Sequence, residues 1–208
     1  SRQFQPIMSS SIVVNNNLFK DLSSIIALKD RGFVSMSSIL SNWAVEMKAD
    51  DDSSYSVSWI LLYRASISGY RAIDFHQACD GMGKCVVVVK AENGRIAVAY
   101  NEDGFVSVSS YSPNRNGFIV AVGEDGGCGE MLNRNERRVG VLDDPGWGPV
   151  FGGVDGFDLI VEDNCRENER SMSRLGSSYG VAGVHQDALF GQENFRVLDY
   201  EVFKIMIE

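Results

Sequence analysis

Apolar residues recur at helical spacing near the start of the chain and at the spacing of strands after residue 57. A period of 3.6 residues fits 18–26 and 36–47, which predicts two amphipathic helices there. The acidic run Asp50-Asp51-Asp52 separates these helices from the strand-like part. This run marks a candidate boundary between an N-terminal part and a strand-rich main part of the chain.

The first strand-like segment, Val57–Arg64, contains an unbroken apolar run from Trp59 to Tyr63. Such a run is typical of a strand buried on both faces, so we predict a central strand. Residues 71–79 have the apolar spacing of one short helix that ends before Gly81. The Asn93-Gly94 pair predicts a tight hairpin turn between strands at 85–89 and 96–100.

Further strands are predicted at 105–109, 118–122, 139–142, 157–162 and 195–203, with Gly, Pro or Asn between them. In the last of these, Tyr200 and Val202 alternate with Asp199 and Glu201, so we expect one buried face and one solvated face. Many short strands with few short helices predict an α+β, β-rich fold. Its core is expected to be two packed antiparallel sheets, a β-sandwich, with short helices at the periphery.

Charge narrows the range of partners. The 208 residues contain 19 Lys and Arg against 28 Asp and Glu, a net charge of -9, which disfavours binding to nucleic acid or to an anionic membrane surface. No apolar run approaches the roughly 20 residues that span a bilayer. The chain opens at Ser1 rather than Met, so we expect a segment of a longer multidomain protein, and we expect it to be cytoplasmic.

One serine motif could carry catalysis. Gly176-Ser177-Ser178-Tyr179-Gly180 matches the G-x-S-x-G of a nucleophile elbow, which makes a serine hydrolase one alternative function. An elbow follows a buried strand, however, and the preceding segment at 167–174 is polar. A structural Gly/Ser loop therefore accounts better for these residues.

Two groups of residues offer ligands for a metal ion. His76-x-x-Cys79 with Cys85 offers soft ligands, but the spacing does not match a zinc site, and His76 lies on the apolar face of its helix. Carboxylates cluster at Glu124-Asp125, at Asp143-Asp144 and between 155 and 163. Asp155, Asp158, Glu162 and Asp163 are the calcium candidates for a second alternative, a calcium-responsive binding module. We assign no catalytic residue, cofactor or metal.

Several blocks together resemble one family, the TLDc domain. Trp59–Ser66 is similar to the LLYRAS block of that family, Gly148–Gly153 to its G-P-T-F-G-G block, and Glu201–Phe203 to its C-terminal strand. The similarity begins near residue 38, where 39–43 resembles the leading helix of the family. The resemblance therefore implies a division into an N-terminal arm and helix at 1–34, a candidate linker from an upstream module, and a TLDc-like domain at 35–208. The residues that match its motifs are Gly69, Phe75, Cys79, Asp80, Gly148, Phe151, Gly152, Gly153, Asp158, Gly176, Ser177 and Glu201.

The chain departs from the family pattern at two places. Ile67-Ser68-Gly69-Tyr70 stands where the family usually has R-D-G-F, and residues 97–100 stand where its hairpin has G-G-Y. The resemblance implies a β-sandwich with peripheral helices and no established catalytic activity. It also implies roles in oxidative-stress protection and in binding a protein partner, the vacuolar-type proton ATPase.

Four cysteines, Cys79, Cys85, Cys128 and Cys165, bear on the implied stress role. They form no C-x-x-C pair, and a run of basic residues that would lower a thiol pKa is absent beside them. We therefore expect no catalytic peroxide reduction. Cys165, next to Arg166, is the one with a basic neighbour.

Overall fold

The computed structural model describes residues 57–122, 128–133, 139–154, 156–180 and 183–207. The predicted helices at 18–26 and 36–47, and the division at residue 34, lie outside this part of the chain. Among the helices that it contains, none has the length and apolar content that crossing a membrane requires.

Two antiparallel six-stranded sheets form the body of the described chain. The first has the order β1 (Val57–Arg64), β12 (Val197–Ile207), β2 (Cys85–Ala91), β3 (Ile96–Asn101), β5 (Phe118–Val122) and β6 (Cys128–Asn133). The second has the order β11 (Asn194–Phe195), β10 (Ser171–Met172), β9 (Gly156–Ile160), β8 (Val150–Gly153), β7 (Val141–Asp143) and β4 (Ser110–Ser112). Short helices α1 (Ala65–Ser68) and α2 (Ala72–Cys79) follow β1. The predicted β-sandwich is confirmed.

The core lies between the two sheets. Val87 and Val89 of β2 belong to the same buried cluster as Phe151 of β8 and Leu159 of β9. The alternate residues of β2, including Val86, point to the other face of the first sheet and join a second buried cluster. The first sheet is thus apolar on both faces, which explains the continuous valine run that the sequence shows.

Two predictions about the first sheet are wrong. β1, predicted as central, is the outer strand of the described first sheet, whereas β12 lies between β1 and β2. The prediction of a solvated face on β12 is also wrong, because Glu201, which belongs to that face, is fully buried. Arg64, its register partner on β1, places Nε 2.6 Å from Glu201 Oε1, so the buried charge is paired.

Residues 105–109, predicted as a strand, form a loop. Ser107 and Ser109 have φ angles of 55° and 50°, which strand geometry does not allow. The loop starts at a turn that the Asn101 side chain holds, since Asn101 Oδ1 accepts from the N–H of Asp103 and of Gly104. Phe105 then forms an isolated bridge with Asp80 rather than joining a sheet.

The remaining local predictions are close to the observed elements. Gly94 turns the hairpin between β2 and β3 with φ 87°, and its N–H donates to Ala91 O at 2.9 Å. The predicted short helix is observed as α2, and the predicted strand at 118–122 is observed as β5. Each of these segments has a regular spacing of apolar residues and a clear turn or stop signal. This explains why the local sequence pattern was sufficient to predict the element.

Candidate functional site

The carboxylate of Asp158, on β9, is completely buried and holds the loop at 176–179. Oδ1 accepts from the N–H of Gly176 at 2.8 Å and of Ser177 at 3.0 Å, and Oδ2 accepts from the N–H of Ser178 at 2.7 Å. Successive backbone N–H groups directed at one anion compensate it without a basic side chain. Asp158 therefore acts as an internal anchor for this loop.

Glycine at position 152 makes room for that anchor. Gly152 has φ 96°, and a Cβ built there would lie 2.7 Å from the backbone nitrogen of Asp158 and would also clash with its Oδ2. Gly153, the next residue, lies so close to the ring of Tyr111 that a Cβ would be 2.8 Å from it. The Gly152-Gly153 pair thus serves close internal packing.

Side chains fix the same loop from its other sides. Ser177 Oγ donates to Gly156 O at 2.7 Å, and Tyr179 donates its hydroxyl proton to Gly140 O at 2.8 Å. Asn114 Nδ2 in turn donates to the Tyr179 hydroxyl at 3.0 Å. The loop therefore connects β8, β9 and the segment that precedes β7 into one buried polar network.

Burial dominates the ionisation of Asp158. Desolvation raises its pKa to about 6, although the backbone N–H groups of Ser178, Tyr179, Gly176 and Ser177 act in the opposite direction. The folded protein consequently holds a proton on this carboxyl at a pH where an exposed aspartate has lost it.

This geometry bears on the serine-elbow hypothesis. Ser178 is buried, and the N–H groups of its loop serve Asp158 rather than an open oxyanion position. His185, the nearest downstream histidine in sequence, has a side chain that is 85 % exposed and bonded to Asp187. The residues 176–180 therefore have a structural role in the described fold.

The calcium candidates are not brought together in the described structure. Asp163 Oδ1 accepts from the N–H of Ala72 at 2.8 Å and so stabilises the start of α2. Glu162 faces Arg170 at 3.9 Å, Asp158 is occupied by its loop, and Asp155 lies outside the described residues. Two other carboxylates, Asp80 and Asp143, do lie together, around His76. The sequence pattern does not bring Asp143 to this histidine, because Asp143 lies on β7 whereas His76 and Asp80 lie at the end of α2.

The other motif residues also have internal roles. Gly69, with φ 114°, lies against the side chain of Asp74, and its carbonyl accepts the hydroxyl proton of Tyr63. Gly148 donates its N–H to Val161 O at 2.9 Å, where a Cβ would also be 2.9 Å from that oxygen. Phe75 packs edge-on against Phe105, with ring centroids 5.0 Å apart.

The thiols of Cys79, Cys85 and Cys165 are buried and free of disulfides. Desolvation raises the pKa of Cys79 and of Cys85 far above the usual thiol range and raises that of Cys165 to about 12. The basic neighbour of Cys165, Arg166, lowers that value too little to offset burial. The side chain of Cys128 lies outside the described structure.

Comparison with known proteins gives one family match. The model of the TLDc domain matches residues 8–206, nearly the whole chain. The match thus begins upstream of the blocks that carry the resemblance in the sequence. No curated protein matches the chain.

Replacing Gly152 by alanine should destabilise the fold, because the new Cβ meets Asp158 and the positive φ is strained. We expect a loss of about 1–3 kcal/mol in the free energy of unfolding and a melting temperature lower by several degrees. Gly180→Ala is the matched control, since a Cβ there would make an ordinary 3.4 Å contact. Urea and thermal unfolding compare the two variants. Equal stability of Gly152→Ala and the wild-type protein would contradict the steric argument.

The pKa of Asp158 predicts a pH dependence of stability. A folded-state pKa of about 6 lies above the unfolded value of 3.8, so the folded state binds the extra proton and its stability falls as pH rises between these values. Wild type should lose about 2 kcal/mol relative to Asp158→Asn from pH 4 to pH 7, since pH 4 already lies slightly above the unfolded pKa. Denaturant unfolding at several pH values measures this difference. A gain over that range would mean that the four N–H groups outweigh burial.

The buried thiols should be unreactive in the native protein. In a Cys128→Ser variant, which leaves Cys79, Cys85 and Cys165, we expect a thiol reagent to react slowly before unfolding and to titrate all three thiols in denaturant. The reason is that the thiolate is the nucleophile and burial suppresses it. Rapid native labelling, or catalytic peroxide consumption by the wild-type domain with a thiol reductant, would contradict this.

Proposed function

Because the chain belongs to the TLDc domain family, we propose that it is a non-catalytic regulatory and interaction domain. Its function is to bind a protein partner, the vacuolar-type proton ATPase, and thereby to contribute to oxidative-stress protection. It works in the cytoplasm and binds no nucleic acid. The net charge of -9 supports a protein partner over a phosphate backbone.

The single observation that carries this proposal is the contrast between interior and surface. Three of the motif residues have internal roles in the described structure: Asp158 holds a loop, Glu201 pairs with Arg64, and the thiol of Cys79 is buried. Their reactive groups are occupied or shielded, which supports a non-catalytic role. Six large apolar side chains of the described residues, in contrast, are exposed.

Most of the exposed apolar side chains of the described residues lie around β4. Val106, Val108 and Tyr111 belong to one short segment, with Val108 59 % exposed. Val154 follows Gly153, which packs against the Tyr111 ring, so it lies beside the same segment. β4 is also the outer strand of the described second sheet. We call these four residues the β4 surface; an outer strand with apolar side chains is a favourable place for a partner to pair.

A binding assay tests the proposal. Purified vacuolar-type ATPase and the purified chain should form a complex, and Val108→Glu should weaken it at least about tenfold, because a charge on the β4 surface must be desolvated on binding. Ile67→Glu is the matched control, since Ile67 is 70 % exposed on α1, away from β4 in sequence and topology.

The outcomes separate the partner from the surface. Failure of the wild-type chain to bind the purified ATPase would contradict the proposed partner. Binding that is lost with Ile67→Glu but kept with Val108→Glu would contradict the β4 surface. Melting curves of both variants should match the wild type, since the two side chains are exposed.

A further inference from the structure

His76 is held in one orientation by two backbone carbonyls. Its Nε2 lies 2.9 Å from Trp147 O and 3.1 Å from Asp144 O. Carbonyl oxygens only accept hydrogen bonds, so Nε2 must carry a proton. The second ring nitrogen, Nδ1, faces Asp80 Oδ1 at 2.9 Å and Ser107 Oγ at 2.7 Å. In the neutral ring, Nδ1 therefore carries a lone pair that is directed toward a carboxylate.

Two carboxylates lie close to the His76 ring. One oxygen of Asp80, one oxygen of Asp143 and a ring nitrogen of His76 all lie within 4.8 Å of one another. Asp143 is 4 % exposed; its Oδ2 accepts from the N–H of Val106 at 2.6 Å, and its Oδ1 has no hydrogen-bond partner in the described structure. A buried carboxylate oxygen without a partner is costly, so Asp143 Oδ1 requires an explanation.

The charges of the cluster do not balance. Within the described residues Asp80 pairs with His76, and Asp143 forms no ion pair. With a neutral imidazole the cluster carries two negative charges, and with an imidazolium it still carries one. Burying uncompensated charge is expensive, whereas one divalent cation neutralises both carboxylates.

We propose that His76, Asp80 and Asp143 bind one divalent transition-metal cation, with Zn²⁺ as the favoured ion. Zinc binds imidazole nitrogens and carboxylate oxygens, the ligands that these three residues offer. A site with three protein ligands leaves one coordination position open. Asp80, whose side chain is 29 % exposed, gives solvent and the ion access to that position.

The surrounding hydrogen bonds match those of metal ligands. Metal-binding histidines usually donate the second ring N–H to a carbonyl, as His76 does to Trp147 O. Each carboxylate likewise has one oxygen held from outside: Ser107 Oγ donates to Asp80 Oδ2, and Val106 N–H donates to Asp143 Oδ2. In each of the three side chains, one polar atom is thus held by an outside hydrogen bond, and the second polar atom remains to bind the ion.

Ion entry requires a small local adjustment. Zinc binds such ligands at about 2.0–2.2 Å, so ligand atoms up to 4.8 Å apart must approach one another. Ser107 Oγ, now 2.7 Å from Nδ1, must turn away from that nitrogen. Ser107 is half-buried, on the loop at 105–109, and this loop can yield more readily than the strands.

The two histidines of the chain provide a matched pair of variants. Calorimetric titration of the chelator-treated full chain with Zn²⁺ should show one site. His76→Gln and Asp143→Asn should each weaken binding more than about tenfold, because each removes a ligand, while His185→Gln should not. Zn²⁺ should raise the melting temperature of the wild type and of His185→Gln but not of His76→Gln.

Cobalt provides a spectroscopic readout that a structural effect would not reproduce. Co²⁺ should give visible absorption bands with the wild type, and Zn²⁺ should displace them. Asp80→Asn, at the most exposed ligand, should lose these bands while keeping the circular dichroism of the folded protein, so the test survives if Asp143→Asn fails to fold.

Two results would overturn the proposal. One is the absence of stoichiometric binding of Zn²⁺ and Co²⁺ to the folded wild type. The other is binding that His185→Gln abolishes and His76→Gln leaves intact, which would place the ion at the His185–Asp187 pair on the surface. Neither result depends on whether the chain binds the ATPase.

Discussion

The buried carboxylate of Asp158 is the constraint on which this end of the sandwich depends. It lies on β9, yet its partners are the N–H groups of a loop far along the chain, at 176–178. Its position is open because Gly152 on the neighbouring strand has no side chain. Without the Asp158 carboxylate, several backbone N–H groups would be buried without an acceptor. With a side chain at position 152, the carboxylate would lose its place and leave one buried charge without a partner. Each such group is costly. Three separated sequence blocks therefore act as one physical unit.

The same logic explains why motif residues of this chain indicate fold more directly than activity. Glu201 and Arg64 join β12 to β1, and Asp163 stabilises the start of α2. Each of these charged groups compensates another internal group. We therefore expect a protein partner of the proposed kind to contact residues outside the motifs, such as the exposed valines of the β4 surface.

Local periodicity predicted the elements better than their neighbours in the sheets. The hairpin at Asn93-Gly94 and strand β5 follow from turn chemistry and apolar spacing alone. The outer position of β1 and the burial of Glu201 do not, because the pairing of Glu201 with Arg64 is a contact between distant segments. In 105–109, alternating valines resemble a strand, but the left-handed Ser107 turns the chain out of strand geometry. The cluster at His76 does not follow from local pattern either, since Asp143 lies on β7, far along the chain from His76 and Asp80 at the end of α2.

The proposed cation site and the β4 surface share one segment of chain. Val106 donates its N–H to Asp143, and Ser107 contacts His76, while Val106 itself is an exposed member of the surface. Ser110 of β4 is the register partner of Asp143 on β7. An ion that draws the three ligands together therefore changes the positions of the residues that a partner would contact. By linkage, a partner that prefers the ion-bound arrangement must raise the affinity for the ion by the same factor, so the two equilibria are coupled through the loop at 105–109.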